Sequence, residues 1–153
     1  MKSIFREAFI SIYLDTCSIQ RPLDHKTQIR VALEAEAVLG ILTLVESNEV
    51  NLVSSEILLF EINRNPNQIR KEYALEVVSK AKDYVGMNPK IEKRAREFIG
   101  LGIHFLDAVH LASAESAHVD YFRTCDDGFL KKAGKLPRLK TKVVSPLELA
   151  EEL

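Results

Sequence analysis

"FISIYLDT", residues 9–16, is the stretch from which the fold is read. Its first six residues are apolar apart from Ser11, and they run into Asp15 and Thr16. A strand with one wet face alternates apolar and polar residues, whereas an unbroken apolar run belongs to a strand covered on both faces, as in a parallel sheet. Such a strand needs helices above and below it, and the following sequence supplies them. Over residues 27–47, Ile29, Leu33, Ala37, Ile41 and Leu44 return at helical spacing with charges between them, and Asn48 closes that amphipathic helix. "VNLV", residues 50–53, predicts a second strand. Ser54 or Ser55 can then cap a helix that carries Glu56 and Glu61.

Farther along, "RNPNQ" at 64–68 is a break. Residues 69–85 and 90–99 are helical in pattern, with Asn88-Pro89 as the turn between them. After Gly100 and Gly102 comes a further helix over 102–112, then strands at 119–123 and 142–144. "SPLE" at 145–148 is a capping box with proline at the first helical position. Strands alternating with helices predict an α/β domain with a mostly parallel sheet. Neither a repeat nor a linker divides the chain, so residues 1–153 are expected to form one domain.

Composition narrows the function classes. The formal net charge of -1 gives no global attraction to nucleic acid or anionic lipid, so a polyanion would have to be held by a local patch. Within residues 1–14 the apolar run is interrupted by Arg6 and Glu7 and ends at Asp15, too short for a signal peptide or a membrane span. The expected location is the cytoplasm, with no membrane partner. Cys17 and Cys125 show no CxxC spacing, which argues against a disulfide framework or a structural zinc site and for reduced, buried packing residues that the fold can make neighbours.

Ligands of open parallel sheets bind beyond the carboxyl ends of the strands. Three strands here end in polar or acidic residues: Asp15-Thr16, Ser54-Ser55 leading to Glu61, and Thr124 with Asp126 and Asp127. Asp107 adds a carboxylate from the helix in "GIHFLDAVHLA", residues 102–112. It stands at the margin of an apolar face beside Ile103, His104, His110 and Leu111, where an ionised acid needs compensation by a basic group or a metal ion. Carboxylates meeting in one pocket raise one another's pKa values, and a divalent cation removes that conflict. Oxygen ligands suit magnesium or manganese, and such a site suits phosphodiester hydrolysis by metal-activated water.

Taken in order, "IYLDTCSI", "LVSSEILLFEI", "FLDAVHLASA" and "YFRTCDDGF" resemble the PIN-domain family of metal-dependent nucleases, and together they span nearly all of the chain. Many members of that family are the ribonuclease toxins of bacterial and archaeal toxin–antitoxin pairs. The resemblance implies a three-layer α/β/α sandwich and a four-acid site using Mg2+ or Mn2+. Residue by residue it implies Asp15, Asp107 and Asp126 as metal ligands, with Glu61 as a further ligand or water-orienting base. Thr124 matches the small hydroxyl residue before the last acid, and Thr16 and Asp127 are supporting residues. Two alternatives stay open: Asp127 replacing or assisting Asp126, and Glu56 in place of Glu61. "RPLDH", residues 21–25, departs from a plain helix start and reads as a loop near the site. The activity implied is cleavage of RNA, with a small antitoxin protein and a second copy of the chain as partners.

Basic residues follow the last acidic motif: Lys131, Lys132, Lys135 and Arg138, then Lys140 and Lys142, with no acid between them. They are candidates for RNA phosphate contacts, against a plain solvated loop. His104 and His110 flank Asp107, but zinc wants more nitrogen or sulfur ligands than this segment offers, so they are expected at the core edge or as donors to the acids. A non-catalytic RNA-binding or regulatory module of the same fold is the rival of a different class. A phosphatase of the haloacid dehalogenase type needs a DxD arrangement after the first strand, where this chain has "DTC".

Overall fold

The computed structural model describes residues 9–153. The expectation that no leader stands at the start of the chain falls largely on residues 1–8, outside the described residues. No helix among the described residues is long and apolar enough to cross a membrane.

In chain order the elements are β1 (Ile10–Leu14), α1 (Thr16–Gln20), a 3-10 turn (Arg21–Leu23), α2 (Ile29–Glu46), β2 (Val50–Ser55), α3 (Glu56–Asn63) and α4 (Gln68–Val78). They continue with β3 (Asp83–Val85), α5 (Pro89–Gly100), α6 (Phe105–Ser116), β4 (Tyr121–Arg123), α7 (Asp127–Ala133), β5 (Lys142–Val144) and α8 (Pro146–Glu152). The five strands form one sheet, all parallel, in the order β3-β2-β1-β4-β5. The architecture is the expected α/β sandwich. In β1 the consecutive residues Ile12, Tyr13 and Leu14 are fully buried, as a central strand covered on both faces requires.

The helices start where side-chain caps stand ready. Ser55 accepts the N–H of Leu58 at α3, Asn88 accepts that of Ile91 at α5, and Ser145 closes the capping box of α8. Helix α5 buries Ile91, Ala95 and Phe98, one stripe at helical spacing.

Several elements differ from those the sequence predicts. The helix from residue 69 ends at Val78, and residues 83–85 are an edge strand, β3, paired with residues 53–55 of β2. Its residues are exposed or half-buried, so they carry no apolar pattern; the backbone defines the strand, Lys82 N–H donating to the Leu52 carbonyl at 3.0 Å just before it. The strands at residues 119–123 and 142–144 are thus the fourth and fifth. The basic tract is not a plain loop, since its first residues close α7. "RPLDH" contains the 3-10 turn, pinned by Arg21 to Asp24 and Glu34 and by Asp24 to Arg70.

Candidate active site

The chain builds from β1 out to β3 on one side and then returns to β4 and β5 on the other, which puts the reversal of strand order between β1 and β4. The carboxyl ends of these two strands are joined by the Asp15 N–H, which donates to the Arg123 carbonyl at 3.2 Å. Asp15 caps α1 and is buried: its Oδ1 accepts the Ser18 N–H at 3.0 Å and the Cys17 thiol at 3.1 Å. Asp126 does the same for α7, its Oδ1 accepting the Phe129 N–H at 3.1 Å, while its own N–H donates to Thr124 Oγ1 at 3.0 Å. In both residues the capping bonds fall on Oδ1, so capping leaves Oδ2 for another partner. Gly128 keeps Asp126 unobstructed, because a Cβ there would stand 3.3 Å from Asp126 Oδ1.

Asp107, in the first turn of α6, is half-buried. Burial, then the neighbouring Asp15 and Asp126 carboxylates, push its carboxyl up to about 6, partly offset by His110 and His104. Three of the four predicted acids therefore feel one another. Asp127 points elsewhere: it pairs in bidentate fashion with Arg30 at 2.5 and 2.6 Å, and that guanidinium holds its carboxyl below the usual range. Glu56 is also engaged away from the other acids, Oε1 accepting the Met87 N–H at 3.0 Å.

Glu61 is held by a chain of hydrogen bonds through the core. Its Oε1 accepts from Thr16 Oγ1 at 2.6 Å and lies 2.7 Å from His110 Nε2. The other ring nitrogen, Nδ1, is 2.6 Å from the Tyr13 hydroxyl, which is 2.6 Å from Ser55 Oγ, itself accepting the Leu58 N–H at 3.1 Å. One proton order satisfies every member: Leu58 N–H to Ser55, Ser55 to Tyr13, Tyr13 to Nδ1, and Nε2–H to Glu61. Burial raises the Glu61 carboxyl, but the bonds from His110 and Thr16 outweigh it and hold the group below its ordinary value. His110 is thus an interior donor, whereas His104 stands on the rim.

Glu61, His104, Asp107, Asp126, Gly128 and Lys132 line a common cleft of ≈ 390 Å³. A second groove of ≈ 750 Å³ continues from it, shares Glu61, His104 and Leu106, and adds Thr16, Phe60, Arg64 and Phe105. Of the basic tract, Lys132 reaches the cleft, while Lys142 is paired with Glu152 at 3.2 Å. None of residues 21–25 lines either space. Among the described residues no three His, Cys, Asp or Glu side chains converge closely enough to enclose a metal ion by themselves. The oxygen donors and their mutual repulsion fit a hard cation that is held by a few carboxylates and keeps several waters.

Two features escaped the sequence reading. Tyr13 and Ser55 link to His110 across distant segments, and only the polar tips inside otherwise apolar strands hint at them. Arg123 is fully buried at the end of β4, and its guanidinium nitrogens have no hydrogen-bond partner among the described residues; Asp15, Glu34 and Cys125 are its charged or polar surroundings. An arginine inside a strand run was the available signal. Cys125 is buried as expected, but Cys17 is exposed.

The PIN domain family model matches residues 12–135. No curated protein sequence matches the chain. Among solved structures the chain is similar to FitAcB from Neisseria gonorrhoeae (19% identity, TM-score 0.57), the match covering 89% of this chain and 98% of that one. It is similar over the same shares to VapBC2 from Rickettsia felis bound to a DNA fragment from their promoter (12%, TM-score 0.57). The sarcin-ricin loop cleaving toxin VapC20 of Mycobacterium tuberculosis shows 18% identity and a TM-score of 0.54, over 84% of this chain and 98% of that one. At these identities the likeness is one of fold.

Proposed function

The chain belongs to the PIN-domain family, and from that premise we propose that it is a ribonuclease hydrolysing RNA phosphodiester bonds with Mg2+ or Mn2+, formed as one domain over residues 1–153. The observation that carries this reading is the Asp107 carboxyl, pushed up to about 6 by burial and by Asp15 and Asp126 at the switch point of the sheet. Such repulsion has a use where a cation binds.

In this reading Asp15, Asp107 and Asp126 hold the cation, which when bound supplies an acidified water and neutralises charge on the scissile phosphate. Glu61, fixed by Thr16 and His110, orients the attacking water and receives its proton on the carboxylate. Thr124 sets the loop that carries Asp126 by accepting its N–H. Lys132 on the cleft wall, with Lys131, Lys135 and Arg138 beyond it, receives backbone phosphates. The sarcin-ricin loop cleaving activity of the VapC20 toxin and the family resemblance support RNA as substrate and a small antitoxin as partner. Exposed Phe60 and Phe105 along the second groove support a homodimer. The protein works in the cytoplasm.

One observation favours the rival, a PIN module that binds RNA without cutting it: the acids do not enclose a metal ion unaided. Cleavage of a single-stranded RNA in manganese decides between them. Asp15→Asn and Asp107→Asn should each abolish cleavage while the chain still folds cooperatively, and Asp127→Asn should leave it intact. Undiminished cleavage by the first two variants would sink the proposal.

A further inference from the structure

Cys17 and Cys125 have no role in that chemistry, yet the fold brings them together from opposite ends of the chain. Cys17 lies in the first turn of α1 and Cys125 in the link between β4 and α7. The Cys17 thiol and Cys125 stand close enough to act on one another electrostatically. It also lies 3.7 Å from Thr124 Oγ1, and Cys125 Sγ lies 3.8 Å from Ser18 Oγ. Cys17 is exposed and Cys125 is buried. This is the arrangement of two thiols placed to close on one another.

We propose that Cys17 and Cys125 are a redox modification site: an oxidisable dithiol that a peroxide closes to a disulfide, disturbing the acid site when it closes. One sulfur of the pair attacks the O–O bond of hydrogen peroxide, takes one oxygen as a sulfenic acid and releases water. The other sulfur then attacks the oxidised one, the S–O bond breaks, and a second water leaves with the remaining thiol proton. Two thiols are oxidised and one peroxide is reduced to two waters.

The consequence for the site follows from what the two sulfurs touch. Reduced Cys17 donates to Asp15 Oδ1 at 3.1 Å, and a disulfide sulfur has no proton to give. Closure also ties the start of α1, next to Asp15, to the loop whose Thr124 hydroxyl holds the Asp126 N–H. The two aspartates would then be held in a spacing set by the S–S bond instead of by a cation. This step rests on the metal-site reading above.

The experiment treats the purified full chain with hydrogen peroxide. Intact mass and peptide mapping read the thiols, and calorimetry reads Mn2+ binding before oxidation, after it, and after dithiothreitol. Expected are a Cys17–Cys125 disulfide within one chain, Mn2+ affinity weakened by about tenfold or more, and recovery on reduction. Cys125→Ser and Cys17→Ser should each form no disulfide within the chain, and at least one of them should stop at a sulfenic acid that dimedone traps. Free thiols, over-oxidised cysteine or cross-links between chains would overturn the proposal. So would a disulfide that forms and leaves Mn2+ affinity unchanged. If the reduced protein binds no Mn2+, the metal-site reading and the coupling fall together, while the mass measurement still decides whether the dithiol forms.

Discussion

Asp107 sits where its ionised form is opposed by burial and by two other acids, and its carboxyl titrates near 6 in place of 3.8. The folded state therefore holds more protons than the unfolded state between those values, so this group's contribution to stability is greatest below the lower value and is lost as pH rises through about 6. A cation reverses the balance, because it competes with the same proton. Mn2+ affinity should then fall as pH drops below about 6, by roughly tenfold per pH unit where one proton is displaced. Asp107→Asn should lose the binding and also flatten the stability profile between about pH 4 and about pH 6. Calorimetric titration together with urea unfolding across that range reads both effects. A stability profile equally sloped in parent and variant would show that Asp107 does not carry the shifted proton.

Tyr13 of β1 and His110 of α6 show how an element contributes beyond its packing. The Tyr13 ring stacks on Phe122 at 5.1 Å, and its hydroxyl joins β2 to α6 through Ser55 and His110. Tyr13→Phe keeps the stacking but leaves Nδ1 of a buried histidine without a donor, a loss of about 1–2 kcal/mol. Thermal unfolding should drop by about 2–4 °C for each kcal/mol. Cleavage should fall by about tenfold or more, because Glu61 loses the ring that holds it. Full activity in a destabilised variant would make the network structural alone. This network also marks how far the sequence could be read. Asp15 and Asp126 were legible because one follows its strand directly and the other comes three residues after its own, and Asp107 because an acid on an apolar face stands out. The Tyr13–His110 bond joins residues 97 apart, a separation with no local signature. Strand β3 was missed for a similar reason, its pairing lying in the backbone while two of its three residues are exposed.

At the scale of the whole molecule, a chain of net charge -1 has to hold a polyanion beside a cluster of carboxylates. The fold does so by placing the acids at the start of α7, just past β4, and running on through that helix, whose last turn carries Lys131 and Lys132. The order of these charges was readable in the sequence; which lysines are free was not, because that depends on α8 returning Glu152 to Lys142. The two lysines should behave differently. Each phosphate contact to a single strand contributes about 0.7 to the slope of log affinity against log salt concentration. Lys132→Ala, on the cleft wall, should weaken binding of an RNA oligonucleotide and reduce that slope by about one contact's worth. Lys142→Ala removes an ammonium already paired and should leave the slope unchanged. Fluorescence anisotropy with a labelled RNA across a salt series, in the cleavage-dead Asp15→Asn background, separates the two. Equal effects from both substitutions would mean that the RNA senses only the overall charge, and the path over α7 into the cleft would have to be abandoned.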